Sequence, residues 1–308
     1  MISRAIKIIR YFFYVGGYLF KIKVLHREIP FIGGLVINEK CNLRCRQCSV
    51  SNRVGIPDLT FAEIGKGLDD FYARGIRSVF IEGGEPFLWQ EGELRLDDVI
   101  QLARKKGFLL VSIYTNGTFP IEVSADTVFV SLDGMREINN ELRGRGRNVF
   151  DPVIANIRKS THPNIIINFT INSKNQHELE DFCEFASRIP QIKGLFFYFH
   201  TPYYGYDELY LTLEQKRAII DRILVLKKKG YKILNSTACL RGVAKDDWKR
   251  PSKTCYVYAN NQSYQCCRAF GNDQACKNCG YLGYPEILYI LKLRPSAILA
   301  AFNYLPKK

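Results

Sequence analysis

Three cysteines in one short stretch, Cys41-Asn42-Leu43-Arg44-Cys45-Arg46-Gln47-Cys48, are spaced C-x3-C-x2-C and bring three thiolates to one loop. Three ligands leave a metal centre one open position. Structural zinc is normally closed by four ligands, whereas a working metal site keeps a vacancy for substrate. Iron–sulfur clusters also take thiolates from closely spaced cysteines. By itself the triplet leaves zinc and an iron–sulfur cluster both open.

The elements around the triplet narrow the choice. It follows a short apolar run at 33–38 that reads as a buried strand. A helical stretch at 59–73 comes next, where Thr60 as N-cap and Glu63 three residues on make a capping box. Strand-like runs recur at 76–81, 109–114, 127–131, 165–171 and 195–199, and helical periodicity at 98–106, 152–159, 178–188 and 213–229. Asp151 before Pro152 predicts an N-cap and a first helical position. The interval from Gly117 to Asp126 holds Pro120 and is too short for more than a turn or a single helical turn. Alternating strands and helices predict an α/β fold with a parallel sheet. Six strands fall short of the eight of a full barrel, so a partial (β/α)6 barrel is expected over 31–235.

In parallel βα architectures the functional groups collect on loops at the C-terminal ends of the strands. The loops here are suited to that. The first strand is followed by the cysteine triplet, the second by Glu82-Gly83-Gly84-Glu85-Pro86, the third by Thr115-Asn116-Gly117-Thr118, and the fourth ends in Ser131-Leu132-Asp133-Gly134. Gly-Gly and Asn-Gly are each common turn formers. Together, in this order and register, they put polar and glycine-rich chemistry on one rim.

This set resembles the radical S-adenosylmethionine (SAM) superfamily, which the triplet Cys41, Cys45, Cys48 and the segments at Gly83-Gly84-Glu85-Pro86, Thr115-Asn116-Gly117 and Ser131-Leu132-Asp133-Gly134 all match, over roughly 31–235. The resemblance implies a [4Fe–4S] cluster held by the three cysteines, with SAM on the fourth iron. It also implies reductive cleavage to a 5′-deoxyadenosyl radical that abstracts hydrogen from a substrate. By the same resemblance Gly83 and Gly84 present backbone groups, and Glu85, before Pro86, presents an acceptor, to the methionine ammonium. Ser131 and Asp133 are expected at the ribose hydroxyls or the methionine end, with Asn116 beside them. Arg143 resembles the arginine that pairs the SAM carboxylate in some members; the alternative is a solvated arginine among Arg145 and Arg147. One departure stands out. Gln47 sits where many members place an aromatic residue against adenine, so an amide replaces the stacking ring there.

More cysteines lie beyond the barrel, at Cys255, Cys266, Cys267, Cys276 and Cys279, with Cys239 before them. Residues 255–266 read as a hairpin with Asn260-Asn261 at its turn and a cysteine at each outer end. The group resembles the auxiliary-cluster extensions of many radical SAM enzymes in a version shorter than a full SPASM-type domain. It implies a second [4Fe–4S] cluster on Cys255, Cys266, Cys276 and Cys279, with Cys267 or Cys239 as substitutes and zinc as the alternative. Thiolates that must stay reduced suit a reducing cytoplasm and argue against disulfides. Cys183, between Phe182 and Phe185 in an amphipathic helix, reads as core.

A net charge of +14 points to an anionic partner, either nucleic acid or an acidic membrane surface. The N-terminus favours the membrane. Arg4, Lys7 and Arg10 recur at helical spacing beside an apolar stripe of Ile2, Ile6, Ile9 and Phe13, the pattern of a helix lying in a membrane interface. The uncharged run between Arg10 and Lys21 is too short to span a bilayer, which takes about 20 residues. Packing against the barrel is the alternative for this segment. Residues 285–292 and 295–305 are further apolar helical stretches rich in aromatics. The expected organisation is an amphipathic segment at 1–30, the barrel at 31–235, a cysteine-rich region at 236–280 and apolar helices at 281–308.

The leading expectation is a radical SAM enzyme at the cytoplasmic membrane face, acting on a lipid or isoprenoid with electrons from a flavodoxin- or ferredoxin-like donor. Peptide modification, tRNA modification, and non-catalytic electron transfer by a metal-binding protein are the alternatives. The roughly 30 residues before the barrel leave no room for a peptide-recognition domain, and no separate RNA-binding module is evident. Thr170, Asn172, His200 and Tyr203 lie at strand ends as candidate substrate contacts. His200 is either a proton donor or an ordinary hydrogen-bonded loop histidine.

Overall fold

The computed structural model describes residues 4–49 and 55–305. Helix α1 (Arg4–Lys23) comes first, and strands and helices then alternate: β1 (Ile32–Val36), α2 (Phe61–Ala73), β2 (Ser78–Glu82), α3 (Leu96–Lys105), β3 (Leu110–Thr115), β4 (Thr127–Ser131), α4 (Arg136–Gly144), α5 (Phe150–Lys159), β5 (Ile165–Ile171), α6 (Leu179–Ser187), β6 (Ile192–Phe199) and α7 (Leu213–Lys228). After these come α8 (Thr237–Ala244), β7 (Cys255–Ala259), β8 (Gln262–Gln265), α9 (Asp273–Lys277), α10 (Gly283–Leu291) and α11 (Pro295–Ala301).

The sheet order is β6-β5-β4-β3-β2-β1-β7-β8, and the first six strands are parallel neighbours in chain order. This is the partial (β/α)6 barrel expected from the sequence. Its strands are near-continuous apolar runs because helices cover one face and the barrel interior the other. In β5, Ile165, Ile166, Ile167, Phe169 and Ile171 are all fully buried. The Thr60 capping box forms at the start of α2, with Thr60 Oγ1 accepting from the Glu63 amide at 3.2 Å and a Glu63 oxygen accepting from the Thr60 amide at 2.8 Å. Cys183 is buried on the inner side of α6.

Three local features refine the sequence reading. Helix α5 starts at Phe150, earlier than the Asp151-Pro152 signal placed it, because Asn140 Oδ1 accepts from the amides of Val149 (2.8 Å) and Phe150 (2.9 Å) and caps the earlier turn. The interval 117–126 contains no helical turn. Helix α4 is an addition: few apolar residues mark it, and its C-cap Arg145 is left-handed at φ 51°.

The predicted hairpin forms, with Asn260 and Asn261 both at positive φ in its turn. It does not stand apart. β7 adds to the barrel sheet parallel to β1, with Cys255 opposite Ile32. The segment after Cys279 then reaches the other barrel edge, where the Phe199 amide donates to Gly280 O at 3.0 Å and the Gly280 amide to Thr201 Oγ1 at 2.8 Å. A Cβ on Gly280 would lie 1.8 Å from Phe199 O, so only glycine allows this approach. The C-terminal region thereby closes the side gap that six strands leave open.

Helix α1 packs one face on the barrel. Tyr14 and Tyr18 donate to the carbonyls of Gly75 (3.1 Å) and Ile29 (2.5 Å), and Tyr18, Phe31 and Leu291 form a small core of their own. Its other face leaves Ile6, Ile9, Phe12, Phe13 and Phe20 exposed. Packing against the barrel, the alternative reading of this segment, thus accounts for one face, and residues of the apolar stripe lie on the other, exposed face. Among the described residues no helix is long and apolar enough to cross a membrane.

Candidate radical SAM site

The loops after β1 and β2 touch backbone to backbone. The Gly84 amide donates to Asn38 O at 2.9 Å and the Glu85 amide to Lys40 O at 2.7 Å, immediately before the first cysteine. A Cβ on Gly83 would sit 2.1 Å from Asn38 Oδ1, and one on Gly84 2.1 Å from Lys40 O. The two glycines are therefore a clamp that fixes the path of the cysteine loop, while both also line the cavity described below.

Glu85 supports the same loop from below. Its fully buried carboxylate accepts from Thr115 Oγ1 (2.8 Å), the Asn116 amide (2.7 Å) and the Phe87 amide (3.2 Å). Burial pushes its pKa up against these hydrogen bonds. The carboxylate lies outside the cavity lining, so the acceptor expected there from Glu85 is spent on holding the loops after β2 and β3 together. Asn116 continues the chain of contacts: its Nδ2 donates to Asn42 Oδ1 at 2.8 Å and lies 3.8 Å from Cys41 Sγ. Pro86 opens a short turn of 3-10 helix behind Glu85 and is buried.

On the opposite wall, Asp133 and Arg143 form a buried ion pair at 2.5 Å. Asp133 also accepts from the Thr170 amide at 2.7 Å and from Gln47 Nε2. Arg143 is thus no solvated arginine: it stands 9% exposed in the cavity wall, with its Nε lacking any partner. Asp133 is turned away from the cavity into this pairing, whereas Ser131 lines it. Gln47 fills the place of the missing aromatic by closing onto Asp133, and its Oε1 is left buried and unpartnered.

These groups surround one cavity of about 530 Å³. Cys41, Cys45, Cys48, Gly83, Gly84, Asn116, Ser131 and Arg143 line its upper end. Cys45 is buried, which pushes its thiol up to about 12 against the opposing charge of Arg143, whereas Cys41 stands exposed. Below them the wall is aromatic: Phe80, Tyr114, Phe129, Phe196, Tyr198 and Tyr281 all contribute. Tyr114 stacks on Phe129 with ring centres 4.6 Å apart, and its hydroxyl pairs with that of Tyr198 at 3.1 Å. Asn168 Oδ1 points into this wall without a partner.

His200, Tyr203 and Thr170 line the cavity as the strand-end reading expects. His200 Nε2 bonds Asp207 at 2.8 Å, and burial holds its pKa below the usual value despite that carboxylate. This is the geometry of a hydrogen-bonded loop histidine. Asn172 departs from expectation: fully buried, it caps its own loop by accepting from the Lys174 amide at 3.0 Å.

Among the later cysteines, Cys239 is separate: it packs in α8 with its thiol 3.6 Å from Leu282 O and with Glu286 as its charged neighbour. Cys255, Cys266, Cys276 and Cys279 share one electrostatic neighbour, Cys267, whose thiol is held below its usual value by the adjacent Cys266. Among the described residues no three Cys, His, Asp or Glu side chains meet around a single ion position. A cubane sets its thiolate ligands on separate irons, so they need not converge on one point.

Arg268 carries no motif or spacing that marks it in the sequence. It pairs with Glu39 at 2.7 Å beside Glu82, and all three line the cavity, so the chain next to Cys267 is pinned to the loop that carries Cys41. Burial raises Glu82 while Arg268 opposes the shift. No spacing signal links residues so distant in the chain.

Residues 35–186 match the Radical SAM superfamily. The chain is 30% identical over 217 residues to Fe-coproporphyrin III synthase of Methanosarcina barkeri, a match covering 63% of this chain and 52% of that protein. It is 26% identical over 171 residues to the sporulation killing factor maturation protein SkfB of Bacillus subtilis, covering 52% and 40%. The match thus spans about half the length of these curated relatives. In fold it is similar to Streptococcus suis SuiB bound to the precursor peptide SuiA, with a TM-score of 0.64 at 17% identity over 85% of this chain and 66% of that one. With the loop motifs, the sequential parallel barrel and these likenesses agreeing, the chain belongs to the radical SAM superfamily.

Proposed function

We propose that this chain binds a [4Fe–4S] cluster through Cys41, Cys45 and Cys48, binds SAM beside it, and acts on an apolar, membrane-derived substrate held in the aromatic part of the cavity. One observation carries this reading: a single cavity joins the three thiols at one end to a wall of aromatic rings at the other. When bound, the cluster and SAM supply reductive cleavage to a 5′-deoxyadenosyl radical that takes a hydrogen atom from substrate.

The donor set fits that pair. Three thiols on one loop leave one position for SAM, and Arg143 Nε, buried without an acceptor, suits its carboxylate. Gly83 and Gly84 offer backbone at the same rim, and Ser131 a hydroxyl. Gln47 offers amide hydrogen bonding, not stacking, where an aromatic would otherwise stand. The rings below exclude water from whatever reacts there. Unactivated C–H bonds are where hydrogen abstraction succeeds and acid–base chemistry has no ionisable proton to use. The outer apolar face of α1, with its basic residues, supports peripheral contact with an anionic membrane. The electron donor is expected to be flavodoxin- or ferredoxin-like.

A second [4Fe–4S] cluster on Cys255, Cys276, Cys279 and one of the adjacent pair Cys266 and Cys267 is part of the proposal. The shared neighbour position favours Cys267. Cys267→Ser should cost iron where Cys266→Ser does not. A peptide substrate is the second reading, favoured by the likeness to SuiB and SkfB.

The test is anaerobic reconstitution with iron and sulfide counting, followed by 5′-deoxyadenosine formation in the presence of a membrane lipid extract or a peptide library. About eight irons per chain fit two clusters and about four fit one. Stimulation by lipid and not by peptide supports the leading reading; the reverse supports the second.

A further inference from the structure

The cavity runs the height of the barrel. Its upper end holds the cysteine loop, and its lower end is lined by Ile32, Ser78 and Leu110, the first residues of β1, β2 and β3. Leu110 and Thr115 both line it and are the two ends of β3, so it extends about 16 Å along that strand at ~3.3 Å per residue. Its side is closed by β7 and by the backbone contact of Gly280 with Phe199. Its upper rim is strapped by Arg46 to Glu208 at 2.8 Å and by Tyr204 to the Ser49 carbonyl.

The lower end is built differently. There α1 meets the C-terminal segment through two half-exposed rings, Phe12 and Phe302, 5.9 Å apart. Their chain neighbours, Tyr11 and Ala301, line the cavity directly behind them. Outward from this seam lies apolar surface: Ile9, Phe13 at 78% exposure, and Leu299 at 68%. The first 27 residues carry Arg4, Lys7, Arg10, Lys21, Lys23 and Arg27 and no acid at all. An exposed apolar helix face in a segment whose charged residues are all basic matches an anionic lipid interface.

We infer that the hydrocarbon chain of a membrane lipid enters the barrel from below, through the seam between Phe12 and Phe302, and reaches upward along the aromatic wall toward the cysteine loop. This rests on the lipid reading above and gives it a direction: membrane at the lower end, cofactor at the upper. A chain passing from the bilayer straight into the seam never exposes its methylenes to water, which is where their cost lies. Ring faces are a suitable wall for it, because the hydroxyls of Tyr114 and Tyr198 are spent on each other.

The experiment uses the full-length holoprotein with oxidised clusters and 16-doxyl-stearate as the probe, read by electron paramagnetic resonance as the immobilised fraction. Wild type should immobilise the probe. Ala301→Trp and Ile290→Trp, which fill the lower end from two separate helices, should each weaken it by about 10-fold or more, with SAM binding by equilibrium dialysis held within about twofold. Phe13→Asp should keep probe binding in solution but cut co-sedimentation with phosphatidylglycerol vesicles by about fivefold or more, while phosphatidylcholine vesicles bind little of either protein. Probe binding that is unchanged in both tryptophan variants overturns the lower route and leaves the lipid reading standing. A wild-type protein that immobilises no probe overturns the lipid reading itself.

Discussion

Substituting Gly84 by alanine tests how the cysteine loop is held. The new Cβ would meet Lys40 O at 2.1 Å and Glu39 O at 2.5 Å, both backbone atoms of the loop leading into Cys41, so no side chain can swing aside. Relief requires the loops after β1 and β2 to part by roughly 1 Å, which breaks the hydrogen bonds from Gly84 N (2.9 Å) and Glu85 N (2.7 Å). Two lost buried backbone bonds at about 0.5–1.5 kcal/mol each, plus about 1–3 kcal/mol for overpacking, come to about 2–6 kcal/mol. At about 2.1 cal/mol/K per residue, the Tm of this chain should fall by roughly 3–9 °C. Iron bound after reconstitution should fall with it, because the displaced loop carries the first ligand. Gly65→Ala is the control: in α2 its Cβ would meet nothing closer than 3.9 Å, and it should gain about 0.5–1 kcal/mol. Thermal melts and iron counts on both variants decide the matter. A Gly84→Ala protein that melts within about 2 °C of wild type and loads the same iron refutes the clamp.

Glu286 should make stability depend on pH. Burial raises its carboxyl from 4.5 to about 7, so the folded state holds its proton more tightly than the unfolded state. The stabilisation is full below pH 4.5 and is lost as the pH rises through 7, a change of about 3 kcal/mol. Glu286→Gln keeps an acceptor for the Ser236 amide, now 2.6 Å away, and should be more stable than wild type at pH 8 with no gain at pH 4 in urea titrations; an equal gain at both would contradict the assignment. Arg143→Met strands the carboxylate of Asp133 and should destabilise by about 3–5 kcal/mol, with Asp133→Asn in the same chain restoring part of it. Equal urea midpoints for the single and double variants would show that the pair does not act as one. Arg143→Lys should keep the fold yet weaken SAM binding, because a point charge replaces a fork; dialysis that finds unchanged affinity would remove Arg143 from the site.

The barrel was legible because its six strands are buried on both faces and so read as continuous apolar runs, and the Thr60 capping box was legible because both of its partners lie within one turn. Helix α4 was not, since Ile138 and Leu142 are almost all the apolar signal it carries. What the site residues do was only half visible. Cys41, Cys45 and Cys48 stand together by spacing alone, but Glu85 turns inward and Asp133 pairs with Arg143 through contacts between separate loops. The same limit hid the union of β7 with β1 and the Glu39–Arg268 pair, which bring together the two ends of the barrel sequence. For α1, the sequence showed an amphipathic helix; that it has a packed face of Tyr14 and Tyr18 and a separate exposed face of Ile9 and Phe13 required the fold.

The central claim is that the loop of Cys41, Cys45 and Cys48 supports SAM cleavage. It is tested most directly by comparing wild type with a Cys41→Ala, Cys45→Ala, Cys48→Ala chain after anaerobic reconstitution and reduction by dithionite. Wild type should convert SAM to 5′-deoxyadenosine and the variant should form none, while losing about four irons and keeping its fold by circular dichroism. A variant that still forms 5′-deoxyadenosine, or a fully loaded wild type that never does, would contradict the account.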